Sequence, residues 1–125
     1  MGYRNTNWTN CQGLTMKVIK SEEDLLEFDN GISIVGEGDI DCCANNYLDF
    51  EQFPVGTELP DMSLGALIDS IKLKEDGFIL KDSIGTPKYV QARSEQNGYY
   101  SDRTTVIVKD GTKSVTLGEL SGLLK

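Results

Sequence analysis

Short runs of alternating apolar and polar residues recur along the chain, and turn-forming dipeptides separate them. Ile32 and Ile34, and later Val106 and Val108, lie two positions apart, as one face of a half-buried strand requires. Asn or Asp followed by Gly supplies the positive φ angles of tight hairpin turns. Such dipeptides occur at Asn30-Gly31, Asp76-Gly77 and Asp110-Gly111, with Asn97-Gly98 as a fourth candidate. The pattern therefore predicts a series of β-hairpins.

Other segments extend this prediction and add short helices. TMKVIK, residues 15–20, is expected to form the strand before the first hairpin, while SEEDLLEF, residues 21–28, fits either a helix start or a strand and is interpreted as a strand. Short helices are expected in residues 62–71 and 116–125, although glycines weaken both. The predicted fold class is mainly β, with α+β as the alternative: an antiparallel sheet of hairpins with one or two short helices.

The length and the cysteine count bound the class of protein. A chain of 125 residues is expected to form a single domain, residues 1–125, with residues 1–13 as an irregular N-terminal arm. No apolar run approaches the ~20 residues that cross a bilayer, and the start lacks a secretory signal pattern. Three cysteines make an odd number, which favours a reducing compartment. We expect a soluble intracellular protein without a membrane partner.

The charge is negative overall and unevenly distributed. The formal net charge is −8, and no Lys or Arg occurs between Lys20 and Lys72, a stretch that holds thirteen Asp and Glu residues. Nucleic-acid binding relies on Lys and Arg, so direct binding to DNA or RNA is not expected. An acidic face can instead attract a basic surface on a partner protein, and the alternative is that the acidity only maintains solubility.

The segment GEGDIDCCANN concentrates acids in front of two cysteines. If it is extended, alternate carboxylates share one face, where a basic partner would neutralise them, and the alternative is a solvated or edge-strand face. With two further acids downstream, the candidate partner-binding residues are Glu37, Asp39, Asp41, Asp49 and Glu51. The spacing does not match a calcium loop, and no metal or other cofactor is expected.

Cys42 and Cys43 are interpreted as structural residues. Neighbours on a strand point to opposite faces, so we expect one of the two to be buried. The chain has no histidine and only one other cysteine, which disfavours tetrahedral zinc, and the adjacent acids would raise a thiol pKa and so disfavour a catalytic thiolate.

The segment EQNGYYSDR, residues 95–103, is a second candidate site. Tyr99 and Tyr100 would point in opposite directions, and Arg93 and Arg103 flank the turn. This grouping could bind a phosphate-bearing ligand or act as a protein-binding hot spot, and the alternative is ordinary cross-strand packing in a hairpin. No Walker loop, dinucleotide fingerprint or serine triad is present, so no enzyme activity and no catalytic residue is expected.

Together these motifs resemble an uncharacterised family of small proteins from tailed bacteriophages and their bacterial hosts. The resemblance covers residues 14–110 and rests on LLEFDNGISIVGEGD, then Asp-Cys-Cys, then Asn-Gly-Tyr-Tyr, while Ala44 and Ser101 depart from the family pattern. It implies that the two later motifs meet in space, with a cysteine packed beneath a tyrosine. The residues with an implied structural role are Cys42, Cys43, Asn97 and Gly98.

The functional expectation combines this resemblance with the acidity. We expect a non-enzymatic phage-type accessory protein, in the cytoplasm of the bacterial host, that binds and inhibits a host protein, such as a defence protein, through the acidic surface. One alternative is a small-molecule binder that sequesters a nucleotide signal. Its ligand-binding residues would be Arg93, Tyr99, Tyr100 and Arg103. The other alternative is a minor structural protein of a virion.

Overall fold

The computed structural model describes residues 14–39 and 43–123, which form ten strands and one helix. The N-terminal arm expected in residues 1–13 lies outside the described residues. In chain order the elements are β1 (Thr15–Glu22), β2 (Leu25–Phe28), β3 (Ile32–Gly38), β4 (Asn45–Asp49), β5 (Glu58–Pro60), α1 (Leu64–Ser70), β6 (Lys72–Leu73), β7 (Gly77–Lys81), β8 (Pro87–Glu95), β9 (Arg103–Asp110) and β10 (Lys113–Ser121). The mainly β fold class is confirmed.

The strands form two antiparallel sheets. The six-stranded sheet has the order β10-β9-β3-β2-β1-β5, and the four-stranded sheet has the order β4-β8-β7-β6. The chain leaves the large sheet after β3, returns for β5, builds the remaining small-sheet strands, and ends in the large sheet. Strands β4 and β6 are therefore the two edges of the small sheet.

Three of the four predicted hairpins are present. The turns at Asn30-Gly31, Asp76-Gly77 and Asp110-Gly111 join β2 to β3, β6 to β7, and β9 to β10. The fourth prediction is wrong, because β8 pairs with β4 and β7 while β9 pairs with β3 and β10. The Asn97-Gly98 turn instead carries the chain from the small sheet to the large one. A turn dipeptide bends the chain locally but does not determine which strands pair.

One of the two predicted helices is present. In residues 62–71 the chain forms α1, and the hydroxyl of Ser63 caps it by accepting a hydrogen bond from the Ala66 amide at 3.2 Å. The C-terminal helix prediction is wrong, because residues 113–121 form β10. Glycines make a helix unfavourable in this segment. As a strand, the segment instead forms its backbone hydrogen bonds with β9. The strand prediction for residues 15–20 is confirmed, and that for residues 21–28 holds in part, because residues 21–22 extend β1, residues 23–24 form a turn and residues 25–28 form β2.

The inward faces of both sheets and the helix contribute to one hydrophobic cluster. Strand alternation is followed closely, since Ile32 and Ile34 are buried on β3 and Val106 and Val108 on β9. The small sheet contributes Phe78, whose ring lies edge-to-face with that of Phe50 at a centroid distance of 6.5 Å. Burying each large apolar side chain stabilises the fold by ~1.5–3 kcal/mol. The cluster therefore joins the two sheets.

Asp24 connects the β1–β2 turn to both sheets. Its amide donates to the Leu48 carbonyl at 3.2 Å, and its Oδ1 accepts from the Leu48 amide at 2.8 Å. Its carbonyl accepts from the Gly36 amide at 2.9 Å, and its φ angle is +65°. Burial raises the pKa of the Asp24 carboxyl above 3.8; the hydrogen bond from Leu48 opposes this increase, and the charge of Glu23 adds to it. This residue holds β4 in place beside β3.

Tyr89 makes a comparable connection within the small sheet. Its hydroxyl donates to the Asp76 carboxylate in the β6–β7 turn, and its amide donates to the Gln52 side-chain oxygen at 2.8 Å. Burial and the hydrogen bond to Asp76, followed by the charge of that carboxylate, raise the pKa of Tyr89 to about 12. The neutral phenol is therefore the form that the fold favours.

We expect Tyr89→Phe to lower the free energy of unfolding at pH 7 by ~1–3 kcal/mol, because the ring remains while the hydrogen bond to a charged acceptor is lost. The folded pKa of about 12 lies above the ordinary value of 10.0. The contribution is therefore complete below pH 10 and is lost as the pH rises through about 12. Denaturant unfolding from pH 7 to 12 should show the two proteins converging, and a constant difference would contradict this assignment.

Candidate functional site

Of the three acids predicted to share one strand face, the structure describes Glu37 and Asp39, and both are exposed. Glu37 is exposed near the end of β3, whereas Asp39 follows the last residue of that strand. The Asp39 carboxylate accepts a hydrogen bond from the Ser101 hydroxyl, and its amide donates to the Arg103 carbonyl at 2.9 Å. Asp41 lies outside the described residues. Asp39 is therefore engaged with the loop after β8, and the prediction that the three carboxylates share one strand face stays a prediction.

Of the two adjacent cysteines, the structure describes only Cys43. Cys43 is exposed and lies in a turn two residues before β4, so it is neither in a strand nor buried beneath a tyrosine. Cys42 lies outside the described residues. Among residues 14–39 and 43–123, no three Cys, Asp or Glu side chains are grouped to hold a metal ion.

Asn46 joins the segment after the cysteines to the Asn-Gly-Tyr-Tyr loop. This side chain is only 6% exposed, and its amide nitrogen donates to the carbonyls of Asp39 at 3.1 Å and Ser101 at 2.9 Å. Its oxygen accepts from the Ser94 hydroxyl, and Ser94 in turn accepts from Gln96. The start of β4 and this loop are therefore adjacent in space and are joined by a buried amide.

The loop itself separates its two tyrosines. Tyr99 is 85% exposed, whereas Tyr100 is half-buried and its amide donates to the Gln96 side-chain oxygen at 2.8 Å. Gly98 has a φ angle of +98°, which suits glycine. Asn97 is exposed beside it. Asn97 and Gly98 thus form the turn that connects the small sheet to the large one.

The two arginines of the predicted ligand site lie on different sheets, and each faces an acid of this chain. Arg93 Nε on β8 lies 2.7 Å from Asp49 Oδ2, and Arg93 Nη2 lies 4.0 Å from Glu51 Oε1. The hydrogen bond to Asp49 raises the pKa of the Arg93 guanidinium further. Arg103 Nε on β9 lies 3.8 Å from Asp102 Oδ1. A phosphate ligand would have to compete with these carboxylates, so the predicted cluster is not preassembled.

An acidic surface does form around Tyr47, on the outward face of β4 and β8. Tyr47 pairs with Arg93, and its hydroxyl lies 3.5 Å from Glu95 Oε2. Burial raises the pKa of Tyr47, and the charges of Glu95, Glu23 and Asp49 raise it further, while Arg93 opposes them. We define the Tyr47 patch as Tyr47 with Glu22, Glu23, Asp49, Glu51 and Glu95.

A shallow hollow lies beside these acids. It has a volume of about 210 Å³ and is lined by Ser21, Glu22, Glu23, Asp49, Phe50 and Glu51. The Tyr47 patch thus combines five carboxylates with two nearby cations, the guanidinium of Arg93 and the ammonium of Lys20, which lies 3.9 Å from Glu22. Its field favours cations, and a tyrosine at its centre offers a ring and a hydroxyl to a partner.

Sequence reasoning identified only part of this surface. Asp49 and Glu51 were among the expected partner-binding acids, whereas the other four members were missed: Tyr47, Glu22, Glu23 and Glu95. Alternation in NNYLD indicates that Tyr47 and Asp49 share a face. Glu95 is brought close by the β4–β8 register, and Glu23 by the hydrogen bonds between its neighbour Asp24 and Leu48.

No protein-family model, curated protein or solved structure matches this chain. The resemblance to the phage family therefore stays a prediction. In the part of the chain that the structure describes, no helix is long and apolar enough to cross a membrane.

Proposed function

We propose that this chain is a non-enzymatic accessory protein of the phage type, which binds and inhibits a host protein by placing the Tyr47 patch against a basic surface. The convergence of five carboxylates around a half-buried tyrosine, from segments that are far apart in sequence, carries this proposal. The resemblance of the motifs to a phage family supports a bacterial host as the source of the partner. The bacterial cytoplasm is the corresponding location.

The composition of the patch suits protein recognition. Tyrosine is enriched among residues that dominate binding energy, and rings of charge set the association rate and exclude wrong partners. The free edge of β4 is covered by Asp24 and by the end of β3, whereas Tyr47 lies on the outward face of the strand. A partner can therefore approach Tyr47 from the outward face of the small sheet.

The ion pair within the patch limits which acids are available. Asp49 is held by Arg93 at 2.7 Å, and its side chain is 21% exposed. Glu51 and Glu22 lie farther from their cations, at 4.0 Å from Arg93 and 3.9 Å from Lys20, and their side chains are 72% and 57% exposed. Glu23 is exposed as well. Glu22, Glu23 and Glu51 are the carboxylates best placed to meet the partner, while Asp49 orients Arg93. This assignment keeps Glu51 from the predicted set and adds Glu22 and Glu23, while Glu37 and Asp39 lie at the end of β3.

We expect Glu23→Lys combined with Glu51→Lys to reduce the association rate with the host partner by ~10-fold or more, because steering by the patch is reversed. Raising the ionic strength past ~0.15 M, where the screening length falls below ~8 Å, should slow association of the wild type in the same way. The partner is captured from a bacterial lysate at low salt, eluted with salt, purified, and measured by surface plasmon resonance.

The matched control is Glu75→Lys with Glu119→Lys, which changes the net charge equally at two exposed positions outside the patch. Glu37→Lys alone tests whether the end of β3 contributes. Circular dichroism should show the same β-type spectrum for every variant. If the patch and control variants slow association equally, or if salt has no effect, the acidic-patch proposal is wrong.

A further inference from the structure

A cavity of about 730 Å³ lies near the opposite edge of the small sheet. It is bounded by the segment after β5, the end of α1, the β6–β7 pair and the loop between β7 and β8. The lining residues that matter here are Met62, Asp69, Ile71, Lys72, Ile79 and Lys81. We infer that this cavity binds a small organic anion, one carboxylate or phosphate group on an apolar or aromatic body.

The floor of the cavity is apolar. Ile71 and Met62 are partly buried and pack against the hydrophobic core, and Ile79 is half-buried on the outward face of β7. A volume of this size lies within the ~300–1,000 Å³ typical of small-molecule pockets, which are mostly apolar with a few oriented polar groups. The thioether of Met62 adapts easily to a bound ring or chain. The floor therefore suits the body of the ligand.

Two ammonium groups flank this floor. Lys72 pairs directly with Ile79 across β6 and β7, and Lys81 lies two residues beyond Ile79 on the same face of β7. Within the described residues neither lysine forms an ion pair. The same holds for Lys17, Lys74, Lys88, Lys109 and Lys113, so the two lysines are distinguished by their place beside the apolar floor. In a chain with a net charge of −8, two cations left over an apolar floor favour a ligand that supplies the anion.

Asp82 and Asp69 also line the cavity. Asp82 Oδ1 accepts the amides of Ile84 at 3.1 Å and Thr86 at 2.8 Å, which holds this carboxylate against its own loop while its negative charge remains. Asp69 is exposed on α1, and both carboxylates would repel an anion. The anionic group is therefore expected between Lys72 and Lys81, with the apolar body on Ile79.

The walls of the cavity are held by backbone hydrogen bonds. The Ser83 amide donates to the Glu58 carbonyl at 2.8 Å, which ties the β7–β8 loop to β5. At the other wall, the Ile71 amide closes the end of α1 by donating to the Leu67 carbonyl at 3.1 Å. A site that is already formed loses less entropy when it binds a ligand.

The test is an NMR titration of the ¹⁵N-labelled protein with phenyl phosphate, a dianion on an aromatic ring. Amide shifts should be confined to residues that line the cavity and should saturate. Benzyl alcohol lacks the charge, and inorganic phosphate lacks the ring, so each should bind at least ~10-fold more weakly. Shifts spread over all exposed lysines, or equal shifts with inorganic phosphate, would show counterion binding only and overturn the inference.

Lys72→Met with Lys81→Met keeps the apolar stems and removes both charges. We expect this variant to weaken phenyl phosphate binding by ~10-fold or more. Lys17→Met with Lys113→Met, two exposed lysines elsewhere, is the control with equal charge and should bind as the wild type does. Asp69→Asn should tighten binding, because it removes one repelling carboxylate. Unchanged affinity in the Lys72 and Lys81 variant would overturn the inference, and it would leave the Tyr47 patch untouched.

Discussion

Replacing Gly38 by alanine is expected to lower the free energy of unfolding by ~3 kcal/mol and the melting temperature by roughly 10 °C. A Cβ at this position would lie 2.0 Å from the Asn46 carbonyl oxygen and 2.8 Å from the Asn46 Cβ. Both belong to β4, so the end of β3 or the start of β4 has to move. The buried amide that joins Asp39 to Ser101 would be displaced as well. Thermal and denaturant unfolding measure the loss.

The matched control is Gly65→Ala in α1, where an added Cβ has no other atom within 4 Å. Alanine is favoured over glycine in a helix by ~0.5–1 kcal/mol, so this variant should be slightly more stable than the wild type. If Gly38→Ala destabilises the protein while Gly65→Ala stabilises it, the loss at Gly38 comes from the close approach of β4 and not from the change in backbone flexibility. A Gly38→Ala protein that melts with the wild type would show that β3 and β4 are not packed as described.

Substitutions of Asp24 are expected to act in opposite directions. Asp24→Ala leaves the Leu48 amide without its side-chain acceptor and places a residue with no polar side chain at a φ angle of +65°. The two effects should destabilise the protein by ~2–4 kcal/mol together. Asp24→Asn keeps an acceptor and suits a positive φ, while it removes a charge that burial disfavours. We expect the Asn variant to be more stable than the wild type at pH 7.

The pH dependence follows from the direction of the shift. Because the folded pKa of Asp24 is raised above 3.8, the protonated form is favoured in the fold. The protonated Asp24 carboxyl contributes fully to the free energy of unfolding below pH 3.8, and this contribution is lost as the pH rises through the folded pKa. The advantage of Asp24→Asn should therefore shrink on acidification. Paired denaturant unfolding of the two proteins cancels the titration of the other acids, and an advantage that grows at low pH would contradict this explanation.

The local elements could be predicted because each has a local cause. Ile32 and Ile34 are buried because side chains alternate on a strand, and the turns at Asn30-Gly31 and Asp110-Gly111 form because their residues accept the required backbone angles. Ser63 caps α1 for a similar local reason. Errors occurred where a local signal competed with a distant partner, as in β10, which pairs with β9 despite its helix-like spacing.

The candidate sites show the same division between local and distant causes. The shortage of bases between Lys20 and Lys72 makes an acidic surface unavoidable, and alternation indicates that Tyr47 and Asp49 share a face. Only the β4–β8 register places Arg93 against Asp49 and Glu95 against Asn45. Only the assignment of Arg93 and Arg103 to different sheets separates the two arginines. Composition determines how much charge the protein carries, while strand pairing over long sequence separations decides which charges meet, because backbone hydrogen bonds hold the same register for many side-chain sequences.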